Sequence, residues 1–182
     1  AVQAAKLGKK VGIIERKEVV GGVSTNTGTI PSKALREAVL YLAGFRQRTL
    51  YGAEYRLKKT ITIEDLAFRA NHVIKNEIEI VQNQMARNGI DLIHGEASFI
   101  DPHRITIQRA GTTTEHRAHV IVIAVGTEPA RPADIPFDEK TIIDTDGLLT
   151  LKHLPTSLVI VGGGVIGTEY ASILAMIGVP VI

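Results

Sequence analysis

Val159-Ile-Val-Gly162-Gly-Gly164-Val-Ile-Gly167 restricts what this chain can fold into more than any other stretch. A short apolar run passes directly into spaced glycines and then into Thr168-Glu169-Tyr-Ala-Ser-Ile-Leu-Ala-Met176, residues suited to a helix. Strand, glycine turn and helix in that order open a βαβ unit, the context in which a G-x-G-x-x-G pattern signals dinucleotide binding. Gly162 permits the tight turn, Gly164 lets the backbone approach a pyrophosphate, and Gly167 lets helix and strand lie close together. The free N–H groups and positive dipole end of the helix then favour the phosphates. A glycine-rich turn that binds nothing is the other reading of the motif taken alone.

The rest of the chain alternates helical and extended patterns, which places it in the α/β class with three-layer, Rossmann-like domains. Residues 1–8 read as the end of a helix stopped at Gly8, and Val11 to Glu15 as a buried parallel strand ending in an acid. Gly21 to Gly28, rich in Gly, Ser, Thr and Asn, reads as loop. Thr29 is placed to cap a long helix with Pro31 in its first turn and Leu35, Val39, Leu42 and Phe45 as its apolar stripe. Glu64 to Asn88 carries Leu66, Val73, Ile74, Ile78, Val81 and Met85 at helical spacing and ends at Gly89. Short strands are expected at Asp91–His94, Ala97–Ile100 and Arg104–Gln108, and another beyond Gly111 into His119–Ala124. Glu128 to Pro136 reads as a surface segment, Leu158–Val161 as a buried strand, and Val179 as the start of one more.

One weak repeat, helix–Gly–strand, occurs at both ends as AAKLGKKVGII and ILAMIGVPVI. The second copy carries its preceding strand and glycine turn, whereas the first begins inside the helix. A helix without its preceding strand cannot complete a βαβ unit, so a parent chain extending past both ends is expected.

Composition removes several functions. There are no cysteines, which excludes disulfides, thiolate metal sites and cysteine nucleophiles together. A net charge of +2 and 4% aromatic residues argue against a nucleic-acid surface. No apolar run approaches the roughly 18 residues of a membrane span. The six histidines offer no convincing metal set: His116 and His119 are three apart in an extended segment, where that spacing puts them on opposite faces.

Residues 21–33, GGVSTNTGTIPSK, carry a more specific signal. This stretch resembles the pyridine nucleotide–disulfide oxidoreductase family, which reads GG-x-Cys-x4-Cys-x-Pro-Ser-Lys here and forms a redox disulfide from the two cysteines. Ser24 and Thr29 occupy the cysteine positions, while Gly21, Gly22, Asn26, Gly28, Ile30, Pro31, Ser32 and Lys33 keep the motif. Ile123-Ala-Val-Gly126-Thr127-Glu-Pro129 resembles the family's second FAD-contacting segment. The order of these motifs, with G-x-G-x-x-G last, is the family's order, so the resemblance spans essentially the whole chain.

The resemblance implies FAD held by Glu15 (through the adenosine ribose), Gly21, Gly22, Ser24, Gly28, Thr29, Lys33, Ala97, Gly126 and Thr127. It implies a nicotinamide dinucleotide, NAD(P), at Gly162, Gly164 and Gly167, and a catalytic pair of Lys33 with Glu169 beside the flavin. Residues 1–150 are expected to form an FAD-binding domain lacking its first strand and glycine motif, and residues 151–182 to begin an NAD(P)-binding domain. Serine and threonine side chains cannot accept electrons, which closes the disulfide exit. The branch of the family that reads GTIPSKALR, as this chain does, transfers hydride between NADPH and NAD⁺; its members usually keep the first cysteine, where Ser24 stands here. NAD(H) and NADP(H) as substrates, a cytoplasmic location, and a homo-oligomer formed through a further C-terminal domain follow from the same likeness. An FAD-dependent NAD(P)H oxidase or diaphorase and an inactive nucleotide-binding fragment remain the other readings.

Overall fold

Two apolar clusters organise the chain, each in its own compact unit. The structure, a computed structural model, describes residues 1–182. The first unit comprises Ala1–Gly22 and Asn76–Gly126, the second Val23–Lys75 and Thr127–Ile182.

In the first unit, α1 (Val2–Lys6) leads to β1 (Gly12–Glu15). β1 pairs in parallel with β2 (Asp91–His94), Gly12 opposite Asp91 and Glu15 opposite His94. Val20, Met85 and Ile90 are buried here, with Val2, Ala5, Ile13, Ile78 and Leu92 packed around them. β3 (Glu96–Asp101), β4 (Arg104–Arg109) and β5 (Thr112–Arg117) form an antiparallel sheet in sequential order. Ile105 and Ile107 are buried on β4. Gly95 joins β2 to β3 at φ +154°, where a Cβ would lie 2.6 Å from Ile107 Cγ2 and 2.9 Å from Gln108 O, so only glycine fits that joint.

The second unit is helical at its centre. α2 (Gly22–Asn26) precedes α3 (Thr29–Leu42), a 3₁₀ turn (Phe45–Gln47) and α4 (Arg48–Tyr51). α5 (Ile63–Arg87) crosses the division, its Leu66 and Ala70 belonging to this core and its Met85 to the other. α6 (Thr145–Leu148) is capped by Asp144, whose carboxylate accepts from the N–H groups of Asp146 and Gly147 at 3.0 Å each. Arg131 donates to the same Asp144 at 2.7 Å and also to Glu139, pinning the preceding surface segment. α7 (Val165–Met176) lies against α3, and Ala34, Leu35, Ala38 and Val39 share one buried cluster with Tyr170 and Ile173.

Several expectations are corrected. The 21–28 stretch is not all loop: α2 forms a single turn in which Thr27 and Gly28 both donate to Val23 O, and Thr25 is buried. Tertiary burial overrides the weak helix propensity of Gly, Ser, Thr and Asn. The N-cap of α3 is Gly28 rather than Thr29, without a side-chain cap bond. Phe45 falls outside α3 and is half exposed, because the chain turns at Gly44. His119–Ala124 forms no ladder, and Val120, Val122 and Ile123 stand exposed. An apolar run becomes a strand only when another backbone lies alongside to meet its N–H and C=O groups, and no segment of this chain does so. Leu158 pairs in parallel with Val181 as a single bridge, and Val161 is 96% exposed rather than buried, because that short pairing has no further neighbour to cover it.

The Tyr170 hydroxyl is buried in the α3–α7 core without a hydrogen-bond partner, and burial pushes its pKa up to about 12. A buried, unmet hydroxyl costs about 1–3 kcal/mol. Tyr170→Phe should therefore leave the protein as stable or raise its thermal midpoint, whereas Leu66→Ala should lower stability by about 2–5 kcal/mol; urea unfolding of both variants measures the contrast.

Candidate functional site

The seam between α3 and α7 brings the two helices that follow the glycine-rich segments into register. Lys33 opens the second turn of α3 and Glu169 the second turn of α7, 136 positions apart. The Lys33 ammonium donates to Glu169 Oε1 at 2.5 Å, and the second carboxylate oxygen accepts from the Ser32 hydroxyl at 3.2 Å. Glu169 is 16% exposed and Lys33 56% exposed, so the acid is held in the seam and the ammonium reaches outward from it. Water screens so exposed a lysine, and the pair contributes at most about 1 kcal/mol to stability. Its geometry is more informative than its energy.

Ser32 was read from the sequence only as part of the motif, with no role of its own. It is 5% exposed, on the same face of α3 as Leu35 and Val39. A polar side chain extending an apolar stripe by one turn has to find a partner, and that was the available signal.

The glycine motif before α7 combines a closed side and an open one. A Cβ on Gly167 would lie 2.4 Å from Gly162 O and 3.2 Å from Ile160 Cγ2, so the third glycine permits close packing of helix on extended chain. Gly162 has φ +115°, and no atom lies within 4 Å of where a Cβ would stand at 162, 163 or 164. Bare backbone beside the start of a 12-residue helix, with no side chain in the way, is space that could take a pyrophosphate.

The remaining candidates divide between the units. In the first, Glu15 ends β1 and accepts from Lys17 N at 3.0 Å, while its own carbonyl accepts from Gly95 N at 3.0 Å. Ala97 is exposed two residues beyond Gly95, and an open cleft of about 490 Å³ beside Glu15 is lined by Arg16, Lys17, His94, Glu96 and Arg109 among others. Sequence reasoning did not single out those basic groups, although Arg16-Lys17 directly follows the strand-ending acid. Gly21, Gly22 and Gly126 also belong to the first unit. In the second, Ser24 and Thr29 are exposed on α2 and at the start of α3, Gly28 lies between them, and Thr127 is exposed. Of all the candidates, Lys33 and Glu169 are the two joined by a direct bond across the core.

A family model for the pyridine nucleotide-disulphide oxidoreductases matches residues 1–182. The chain belongs to that family. It is 55% identical over 183 aligned residues to a soluble pyridine nucleotide transhydrogenase of Mycobacterium tuberculosis, and 43% identical over 182 to one of Colwellia psychrerythraea. In both alignments all of this chain is matched, and it spans 39% of the relative's length. Among solved structures, LpdA from Mycobacterium tuberculosis superposes with a TM-score of 0.86 at 26% identity, over 100% of this chain and 40% of that one. The HOCl-induced flavoprotein disulfide reductase RclA from Escherichia coli gives 0.78 at 32% identity, over 100% and 38%. The oxidoreductase family thus accounts for the whole chain, and its α/β architecture is the one observed. No helix is long and apolar enough to cross a membrane.

The two sides of the glycine motif should separate on substitution. Gly167→Ala forces a backbone shift and should cost about 1–3 kcal/mol. Gly163→Ala, which meets nothing, should stay within about 0.5 kcal/mol of the parent. Chemical denaturation of the two variants checks this.

Proposed function

We propose that this chain is part of a flavoprotein that transfers hydride reversibly between NADPH and NAD⁺, with residues 1–150 serving FAD and residues 151–182 opening the nicotinamide-binding domain. One observation carries the reading: Lys33, placed after the first glycine-rich segment, is bonded to Glu169, placed after the second. A helix that follows a flavin-side loop and a helix that follows a nicotinamide-side turn meet at a cation–carboxylate pair, where flavin and nicotinamide would have to meet. Sequence identity to the two transhydrogenases over the full chain supports the same reading.

Bound FAD would supply the two-electron relay between the two nicotinamides. Glu15 would accept hydrogen bonds from the adenosine ribose; Gly21, Gly22, Ser24, Gly28 and Thr29 would line the flavin side, with Ala97, Gly126 and Thr127 completing the hold. The open backbone at Gly162 and Gly164 would receive the NAD(P) pyrophosphate, with Gly167 keeping the helix close. Lys33, held by Glu169, would place a fixed positive charge where negative charge develops during transfer. Ser24 and Thr29 offer no thiol, and the chain holds no cysteine, so these residues cannot relay electrons to a disulfide substrate. A homo-oligomer and a cytoplasmic location belong to the same proposal.

Two measurements on the full-length enzyme test it. With NADPH as donor, a nicotinamide acceptor should be reduced while lipoamide and glutathione disulfide are not; turnover of either disulfide, or oxygen uptake matching NADPH loss, would overturn the reading. In stopped-flow, Lys33→Met should slow flavin reduction and make the flavin potential more negative, Glu169→Gln should give a smaller defect of the same kind, and the double variant should be far from additive. Additive effects, or reduction at the parent rate in Lys33→Met, would remove the pair from the site.

A further inference from the structure

Lys33 has a long, rotamer-rich stem and a side chain more than half exposed, so its own surroundings do not fix its ammonium. Its position is set by Glu169. Two groups hold that carboxylate: Lys33 on Oε1, and Ser32 on Oε2. Only the second comes from the interior. Ser32 is 5% exposed, follows the buried Pro31, and its N–H donates to Gly28 O at 3.1 Å in the first turn of α3.

The Ser32 hydroxyl has one proton and two acceptors, Glu169 Oε2 and Thr29 O, each at 3.2 Å. A carboxylate is the stronger acceptor, because a charge-assisted bond is roughly twice as strong as a neutral one. The Tyr170 hydroxyl beside Glu169 along the chain makes no bond of its own, so it does not share the task. The geometry points to Ser32 as a positioning residue for hydride transfer: its buried hydroxyl fixes Glu169 Oε2, which leaves Oε1 aimed at Lys33 and so places the lysine cation. Order passes from a rigid buried serine through a mostly buried acid to an exposed base. This rests on the function proposed above for Lys33 and Glu169.

The test uses the full-length, FAD-loaded enzyme as Ser32→Ala, Ser32→Thr, Glu169→Ala and the Ser32→Ala/Glu169→Ala double variant. Two readouts are taken: flavin reduction by NADPH in stopped-flow, and the rate at which acetic anhydride acetylates the Lys33 amine, followed by mass spectrometry. Ser32→Ala should slow flavin reduction about fivefold to tenfold and speed acetylation by a similar factor, about what one lost hydrogen bond of ordinary strength gives. Ser32→Thr, which keeps the hydroxyl, should stay within about twofold of the parent. In the Glu169→Ala background, Ser32→Ala should change neither rate further. Parent behaviour of Ser32→Ala in both readouts, or the same fold-change with and without the Glu169 carboxylate, would overturn the assignment. If Lys33→Met and Glu169→Ala both reduce flavin at the parent rate, the proposed function fails instead; acetylation of Lys33 still decides whether Ser32 sets its position.

Discussion

α3 gives Ala34, Leu35, Ala38 and Val39, and α7 gives Tyr170 and Ile173, to one buried cluster that holds the two helices together. The distance between two packed helices follows from the side chains at their contact. The polar site depends on that distance. Any outward shift of α7 would break it, since a bond of 3.2 Å from Ser32 to Glu169 has little length to spare. The apolar seam therefore acts as the ruler for the ionic one. The hydrophobic contact supplies the energy, and the polar pair rides on it with little energy of its own.

The sequence made the recurring elements plain where periodicity was long. The 25 residues of α5 and the strands β3 and β4 fall close to their expected bounds because each carries its pattern within itself, whereas β5 stops at Arg117, short of the expected run into His119–Ala124. The glycine motif was legible for the same reason: turn, close approach and helix start are local demands on particular residues. Failures came where the deciding partner lies elsewhere. Val120 to Val125 has the composition of a strand, but strand formation is settled by whatever lies beside it. Ser24 to Asn26 has the composition of a loop, yet the burial of Thr25 turns it into helix.

The site shows the same division. Lys33 and Glu169 were placed together by resemblance, since no local pattern links residues so far apart in the chain. Ser32, adjacent to one of them, was counted in the motif but given no role, because serine in a first helical turn reads as ordinary. Only the knowledge that its face of α3 is apolar makes it conspicuous, and that face is defined by Leu35 and Val39 three and seven positions on. The basic groups beside Glu15 were passed over in a different way: Arg16 and Lys17 are adjacent in sequence, but Arg109 reaches their cleft only through the turn at Gly95.

The open run from Val120 to Val125 has a bearing on how such a chain behaves in a tube. Its backbone donors and acceptors are turned to water beside bare valine and isoleucine, which is a surface an incoming extended peptide can pair with. Val120, Val122, Ile123 and Val125 are each more than 70% exposed, so side chains reinforce what the backbone invites. Expressed by itself, the chain would behave as an adhesive: its solubility would fall with concentration, a β-rich signature would grow as it aged, and short apolar peptides would quiet it by covering the run.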